Sequence, residues 1–258
     1  MLTFIGLGLY DEKDVSIRGY EAIKDADVIF AEFYTSQLMG TSIEKLQKFY
    51  GKEIILLSRE EVEDGKRIIE EAKNKSVVLI VPGDAMIATT HVALRIMAEE
   101  GGIETRIIHG ASIVTAVSGL LGLQHYKFGR TISIPFPQEN FFPTSAYDFL
   151  ARNMEMGLHT LVLLDINPRP MTANEAMRIL LDMEKRKKGG IIKDNTLIAV
   201  VARAGAPNVL VKAGYLQDMM NEDFGSPLHT IVIPGKLHFA EAEALIKLAD
   251  APEEILED

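Results

Sequence analysis

Short apolar runs alternate with helix-patterned segments through the first half of the chain, and few folds accommodate that alternation. Leu2–Leu7, Asp27–Glu32, Glu53–Leu57, Val77–Val81 and Ile103–Ile108 have the length and apolar content of strands, and the stretches between them read as helical crossovers on a largely parallel sheet. Val15–Ala26, with Asp14 as its expected N-cap, and Thr90–Glu100, whose Val92, Leu94, Ile96 and Met97 allow one buried stripe, are two such helices. The second half has a different texture. Strands are expected at His159–Asp165, Thr196–Ala202, Val209–Ala213 and His229–Ile233, with helices at Thr172–Lys187 and Leu237–Ala249. Some of the last three strands are too close in sequence for helical crossovers, so this sheet must be mixed or antiparallel. Pro135, Pro137 and Pro143 mark a linker over roughly 122–145. The expected architecture is therefore two α/β domains, 1–113 with a mainly parallel sheet and 114–258 with a mixed one, and a ligand cleft between them.

Composition removes several chemistries. With no cysteine among 258 residues there is no disulfide, thiolate nucleophile or zinc–thiolate site. Net charge is −10 and neither half is basic, so nucleic acid is not an expected partner. The longest uncharged stretch, Ile107–Tyr126, is interrupted by glycines, histidines and serines and reads as strand, turn and helix rather than a membrane span. No secretory leader is expected before Gly6, and a cytoplasmic setting follows. Walker A, His-Glu-x-x-His and Gly-x-Ser-x-Gly sequences are all lacking, and the six histidines are scattered, which points to no metal. The run Lys185–Lys188 before Gly189 reads as a helix end, with basic residues facing the negative end of the dipole and glycine stopping the helix.

Four groups of residues lie just after expected strands, where open α/β sheets bind ligands. In Gly6-Leu7-Gly8-Leu9-Tyr10-Asp11 the two glycines permit a sharp turn and a close approach to a ligand. A dinucleotide-binding loop would carry a third glycine at position 11, where Asp11 stands, with Glu32 as the ribose-binding acid. In Pro82-Gly83-Asp84-Ala85-Met86-Ile87, Pro82 ends the ladder and Gly83 permits a left-handed turn. Asp84 then either accepts hydrogen bonds from a ligand's hydroxyls or, like Thr89, caps the helix that follows. In His109-Gly110-Ala111-Ser112-Ile113, Ser112 is an N-cap candidate, with a ligand role only if something sits over that helix start. The fourth group joins Leu161–Asp165, Ala202–Gly205 and Pro227–Thr230, whose small and apolar residues suit either a dry ligand wall or simple core packing.

Phe4–Asp11, the Pro-Gly-Asp loop and His109–Ile113 together resemble the tetrapyrrole methylase superfamily of S-adenosylmethionine-dependent methyltransferases. Ala31–Ser36, Tyr126–Gly129, Phe142–Ser145, Leu158–Leu161, Met171–Met177 and Pro234–His238 are similar to its diphthine-forming branch, and these pieces span nearly the whole chain. The resemblance implies a two-domain α/β homodimer that binds S-adenosylmethionine between its domains. It also implies methylation of the amino group of the 3-amino-3-carboxypropyl histidine of translation elongation factor 2. Carried over by position, the cofactor contacts are Leu9, Asp84, Ile87, Ser112, Ile113, Leu163, Ala204 and His229. Asp84 is expected to make polar contacts, and Leu9, Ile87, Ile113 and Leu163 to form apolar walls. Ser112, Ala204 and His229 are expected to offer mainly main-chain or small polar contacts. Where the family often has proline after the Pro-Gly-Asp aspartate, this chain has Ala85. No catalytic residue is assigned: displacement at a sulfonium expels a neutral leaving group and positioning can supply most of the rate, and the amine must lose a proton but no residue is identified as its base. Two other readings stay open at this point, a methyltransferase acting on a tetrapyrrole and a dinucleotide-binding module without methylation.

Overall fold

A computed structural model describes residues 1–139 and 142–256. The chain divides into two compact units, Met1–Ile113 with Gly205–Pro207, and Val114–Ala204 with Asn208–Asp258. The first contains β1 (Leu2–Gly6), α1 (Ile17–Asp25), β2 (Val28–Ala31), α2 (Ile43–Tyr50), β3 (Ile55–Leu56), α3 (Arg59–Asp64), α4 (Lys66–Ala72), β4 (Val77–Val81), α5 (His91–Glu100) and β5 (Thr105–Ile108). Its sheet has the order β3-β2-β4-β1-β5, and every pairing is parallel. Every residue of β1 and β4 is buried, as expected where helices cover both faces. Successive side chains alternate between two core layers. Phe4, Phe30 and Leu79 enter one, and Ile5, Ile29 and Ile80 the other.

The second unit contains α6 (Ile113–Leu121), which starts at the boundary, then β6 (Ile132–Ile134), α7 (Ser145–Glu155), β7 (Thr160–Leu164), α8 (Ala173–Lys187), β8 (Leu197–Ala202), β9 (Leu210–Tyr215), α9 (Leu216–Met219), β10 (His229–Ile233) and α10 (Phe239–Ala249). Its order is β6-β7-β10-β8-β9, with β6 parallel to β7 and the other pairs antiparallel. One core cluster joins Val162, Ile198 and Ile231 of the sheet to Leu150, Met177 and Leu180 of the helices.

Four expectations need revision. Helix α5 buries His91, Leu94 and Ala98, while Val92 and Ile96 are 58% and 52% exposed. The buried face follows the i, i+3, i+7 spacing that includes a histidine and an alanine, not the most apolar residues. Helix α1 begins at Ile17 and is capped by Ser16, whose hydroxyl accepts from the Gly19 amide, so Asp14 is free for another task. Helix α8 ends on Lys188, at φ 55°, before Gly189 is reached. Residues 132–134, inside the proline-bearing stretch expected to link the domains, form β6; Asn140 and Phe141 of that stretch lie outside the described residues.

Candidate active site

Strands β4, β1 and β5 are neighbours and run parallel, so the loops that leave their C-terminal ends share one edge of the first sheet. Strand β5 lies on the opposite side of β1 from the other three strands, so the connections reverse direction there, which is where such sheets bind ligands. Those three loops carry Leu9, Asp84, Ile87, Ser112 and Ile113.

Glycines shape this edge by packing against one another. A Cβ on Gly6 would lie 2.5 Å from the Gly83 carbonyl oxygen and 2.6 Å from the Gly110 nitrogen. A Cβ on Gly110 would lie 2.5 Å from the same oxygen and 2.6 Å from the Gly6 carbonyl carbon. The space that the sequence reserves at Gly6 is thus filled by protein backbone rather than by a ligand. Gly8 and Gly83 exchange backbone hydrogen bonds, and the Gly83 φ of 72° makes the turn after Pro82. Asp14, released from the helix, turns inward. Its Oδ2 accepts from the Leu9 and Tyr10 amides at 3.0 and 2.7 Å, folding the glycine loop so that Leu9 is half-buried.

Asp84 is 4% exposed. Its Oδ1 accepts from the Met86 amide at 2.9 Å, and its Oδ2 from the Gly110 amide at 3.3 Å and from His109 Nδ1 at 2.7 Å. It therefore ties the β4 loop to the β5 loop and caps no helix; neither does Thr89, whose hydroxyl donates to the Ala85 carbonyl. That carbonyl also lies 2.8 Å from His91 Nδ1, so hydrogen bonds hold Ala85 in place. Behind the loop, Glu32 is completely buried. Its Oε2 accepts from the Tyr34 and Thr35 amides, and its Oε1 lies 3.5 Å from His91 Nε2. An acid so enclosed presents nothing to a ribose, which removes the residue that the dinucleotide reading required.

Leu163 on β7, Ala204 just beyond β8 and His229 at the start of β10 lie at one end of the second sheet. His229 is buried, and both its ring nitrogens are engaged. Nδ1 accepts from the Ala173 amide at 3.1 Å, so Nε2 carries the proton and donates to the Ser226 carbonyl at 3.1 Å. Burial pushes its ionisation below the ordinary histidine range against the pull of the Ser226 carbonyl, and the Arg203 charge pushes the same way. Its side chain is committed to the fold, leaving its main chain for a ligand. Arg203, at φ 55°, donates to the carbonyls of Asn208, Phe224 and Ser226 and ties the turn after β8 to the segment before β10. The adjoining Gly205–Pro207 segment belongs to the first unit, where a Cβ on Gly205 would come within 2.8 Å of Leu9 Cβ.

Of the eight contacts carried over from the resemblance, the structure gathers five on the edge of the first sheet and three at one end of the second. Asp14, His109 and Arg203 are the site-shaping residues that sequence reasoning missed. Only His109 had an available signal, a titratable side chain immediately before a loop glycine at a strand end. S-adenosylmethionine asks for apolar cover and a few polar anchors. Leu9, Ile87, Ile113, Leu163 and Ala204 are all half-buried, offering apolar surface for a ligand to cover. The Asp84 carboxylate has about four acceptor positions, of which three are filled. These residues fit such a group. Among the described residues no cluster of His, Asp or Glu could hold a metal, and no helix is long and apolar enough to cross a membrane.

The model of the family described as Tetrapyrrole (Corrin/Porphyrin) Methylases matches residues 1–219. The chain is 53% identical over 265 residues to a diphthine synthase of Methanosarcina mazei, covering 100% of this chain and 99% of the relative. It is 51% identical to a diphthine synthase of Methanocaldococcus jannaschii, covering 97% and 99%. A crystal structure of diphthine synthase superposes with a TM-score of 0.92 at 43% identity, over 99% of this chain and 98% of that one.

Proposed function

The chain belongs to the tetrapyrrole methylase family, in its diphthine synthase branch, and from that premise we propose that it uses S-adenosylmethionine to methylate the amino group of the 3-amino-3-carboxypropyl histidine of translation elongation factor 2. A methyltransferase of diphthamide biosynthesis is what the family membership gives; the donor, the substrate atom and the site residues are the inference. The observation that carries it is the packing of three glycine-bearing loops along one edge of a parallel sheet, with a nearly buried carboxylate at their junction.

Asp84 would take one polar group of the donor with its remaining acceptor position, and Leu9, Ile87 and Ile113 would cover its apolar parts. Ser112, Leu163, Ala204 and His229 would complete the site, the last through its main chain. When bound, the donor supplies a methyl group on a positively charged sulfur. Aim can supply much of the remaining rate, since orientation of two reactants is worth about 7–11 kcal/mol at best. A homodimer and a cytoplasmic location belong to the same reading.

Labelled S-adenosylmethionine incubated with folded elongation factor 2 bearing the precursor histidine should give methylated product. No incorporation overturns the proposal, and methyl transfer to uroporphyrinogen or a precorrin would redirect it to tetrapyrroles. Asp84→Ala should weaken S-adenosylhomocysteine binding about tenfold or more, the worth of one charge-assisted hydrogen bond. Calorimetric titration measures this, and an unchanged affinity with a large fall in melting temperature would leave Asp84 only its role of joining two loops.

A further inference from the structure

We propose that His109, oriented by Asp84, is the group that removes the proton from the substrate amine, an assignment that rests on the methyltransferase reading above. A primary amine in water carries a proton and has no lone pair to attack with. Each transfer also leaves a positively charged nitrogen, which must shed a proton before it can accept another methyl group. A positioned base is worth about 10²–10⁴ in rate when it takes such a proton.

Several titratable side chains stand among or beside the expected site residues, and Asp14 and Arg203 among them are spent on backbone groups. His229 uses both ring nitrogens within the protein. Asp84 is 4% exposed and accepts three hydrogen bonds. The nearby buried pair Glu32 and His91 is enclosed, at 0% and 1% exposure. His109 is different. Its side chain is 73% exposed, its Nδ1 lies 2.7 Å from Asp84 Oδ2, and its Nε2 has no hydrogen-bond partner among the described residues.

An ionised carboxylate only accepts, so Nδ1 carries the ring proton and Nε2 presents a lone pair. A buried acid that fixes the tautomer of an exposed imidazole and stabilises its cation is the arrangement by which histidine serves as a base in nucleophilic catalysis. Among the described residues the ring's ion-pair partner is Asp84.

In the step proposed, Nε2 takes a proton from the substrate ammonium. The freed lone pair forms the new nitrogen–carbon bond as the carbon–sulfur bond breaks, and the sulfur keeps that electron pair and leaves neutral. The imidazolium then passes its proton to water, which its exposure permits. Asp84 acts through His109 as well as toward the donor, which explains why so buried a carboxylate spends its shortest hydrogen bond on an exposed ring.

The test is His109→Gln in the full chain, assayed with modified elongation factor 2 beside the wild type. At neutral pH kcat should fall about a hundredfold, while S-adenosylhomocysteine affinity, read by calorimetry, stays within about threefold. The variant's rate should climb with pH toward that of the wild type as the amine loses its proton unaided, and added imidazole should restore part of it. Nitrogen-15 shifts of the unliganded protein should place the ring proton on Nδ1. An unchanged kcat at neutral pH overturns the assignment, as does a proton found on Nε2. A loss of cofactor affinity with an unaltered pH profile would make His109 a positioning residue for Asp84 instead. Wild-type protein that fails to methylate would overturn the underlying reading and this assignment with it.

Discussion

The strand-end loops of the two sheets are held with different emphasis. In the first unit the loops at the strand ends are shaped by main chain against main chain, with Gly6, Gly83 and Gly110 in mutual contact. The second unit has one such backbone contact, Gly235 against Gly157, but leans more on side chains that bind the backbone, as Asp14 and Asp84 also do in the first. Arg203 gathers three carbonyls, His229 spans the Ala173 amide and the Ser226 carbonyl, and Glu241 accepts from the Gln124 and His238 amides, Lys127 and His159. The parallel sheet brings adjacent strand ends to one edge, so loops crowd there and small residues are required. The mixed sheet, antiparallel in all but its β6–β7 pair, sends most neighbouring strands to opposite ends, so loops there are held by whatever side chain reaches them. Adding atoms at Gly6 or Gly110 should therefore damage the first unit, and removing the polar atoms of Arg203 or Glu241 the second.

The sharpest way to break that contrast is Gly110→Ala. All three nearest neighbours of the added methyl group are backbone, at 2.5, 2.6 and 2.7 Å, and cannot swing aside. The loss should be about 3 kcal/mol or more, at the upper end for overpacking, read by chemical denaturation; a loss below about 1 kcal/mol would mean that this edge is looser than it looks. Close behind comes Glu241→Gln in the second unit. Burial pushes this carboxyl up, yet the Lys127 ammonium, the Gln124 and His238 amides and His159 together hold it down to about 2. Neutralising a member of a buried network costs about 3 kcal/mol.

The sign of the pH dependence follows. Because the folded acid ionises below its unfolded range near 4.3, its contribution is complete above that range and fades as pH falls toward about 2. His159 and His229 are both pushed down chiefly by burial. They withdraw further stability as pH falls below the unfolded histidine range near 6.5. Melting temperature against pH should therefore decline in two stages on the acid side, and Glu241→Gln should flatten the lower one.

Arg203→Ala should cost about 2 kcal/mol, since bonds from a charged donor are worth about 1.5–3 kcal/mol. Alanine at the same φ of 55° is strained as arginine is, so the change isolates the three hydrogen bonds. A loss near zero would put water in place of the guanidinium. The smallest effect runs the other way. Lys188→Gly relieves a left-handed residue at the end of α8 and should stabilise by about 0.5–1 kcal/mol, detectable as a small rise in the denaturation midpoint.

Much of this was legible in the residues. The apolar runs located β1, β2, β4, β7, β8 and β10 within two residues at either end, because a strand buried on both faces needs an unbroken apolar run. The short spacing after β8 called for antiparallel pairing, and β8 with β9 pairs that way. The three strand-end loops carried their own signal in glycine and proline. What stayed hidden depended on partners distant in sequence. Strand β6 has three residues and exists because β7 lies beside it. Nothing near Asp14 says that it turns back to the Leu9 and Tyr10 amides, and nothing in Gly6 says that its missing side chain makes room for residues 83 and 110.

Periodicity, turn chemistry and chain-wide likeness thus determined by themselves the two α/β sheets, the parallel pairing of the first and the family, since these are properties of local pattern summed along the chain. Which atoms fill the glycine gaps, which nitrogen of His229 holds its proton, and that Asp84 meets His109 were decided only by the tertiary structure. Each depends on groups brought within about 3 Å by strand order, and strand order is a property of the whole fold rather than of any segment.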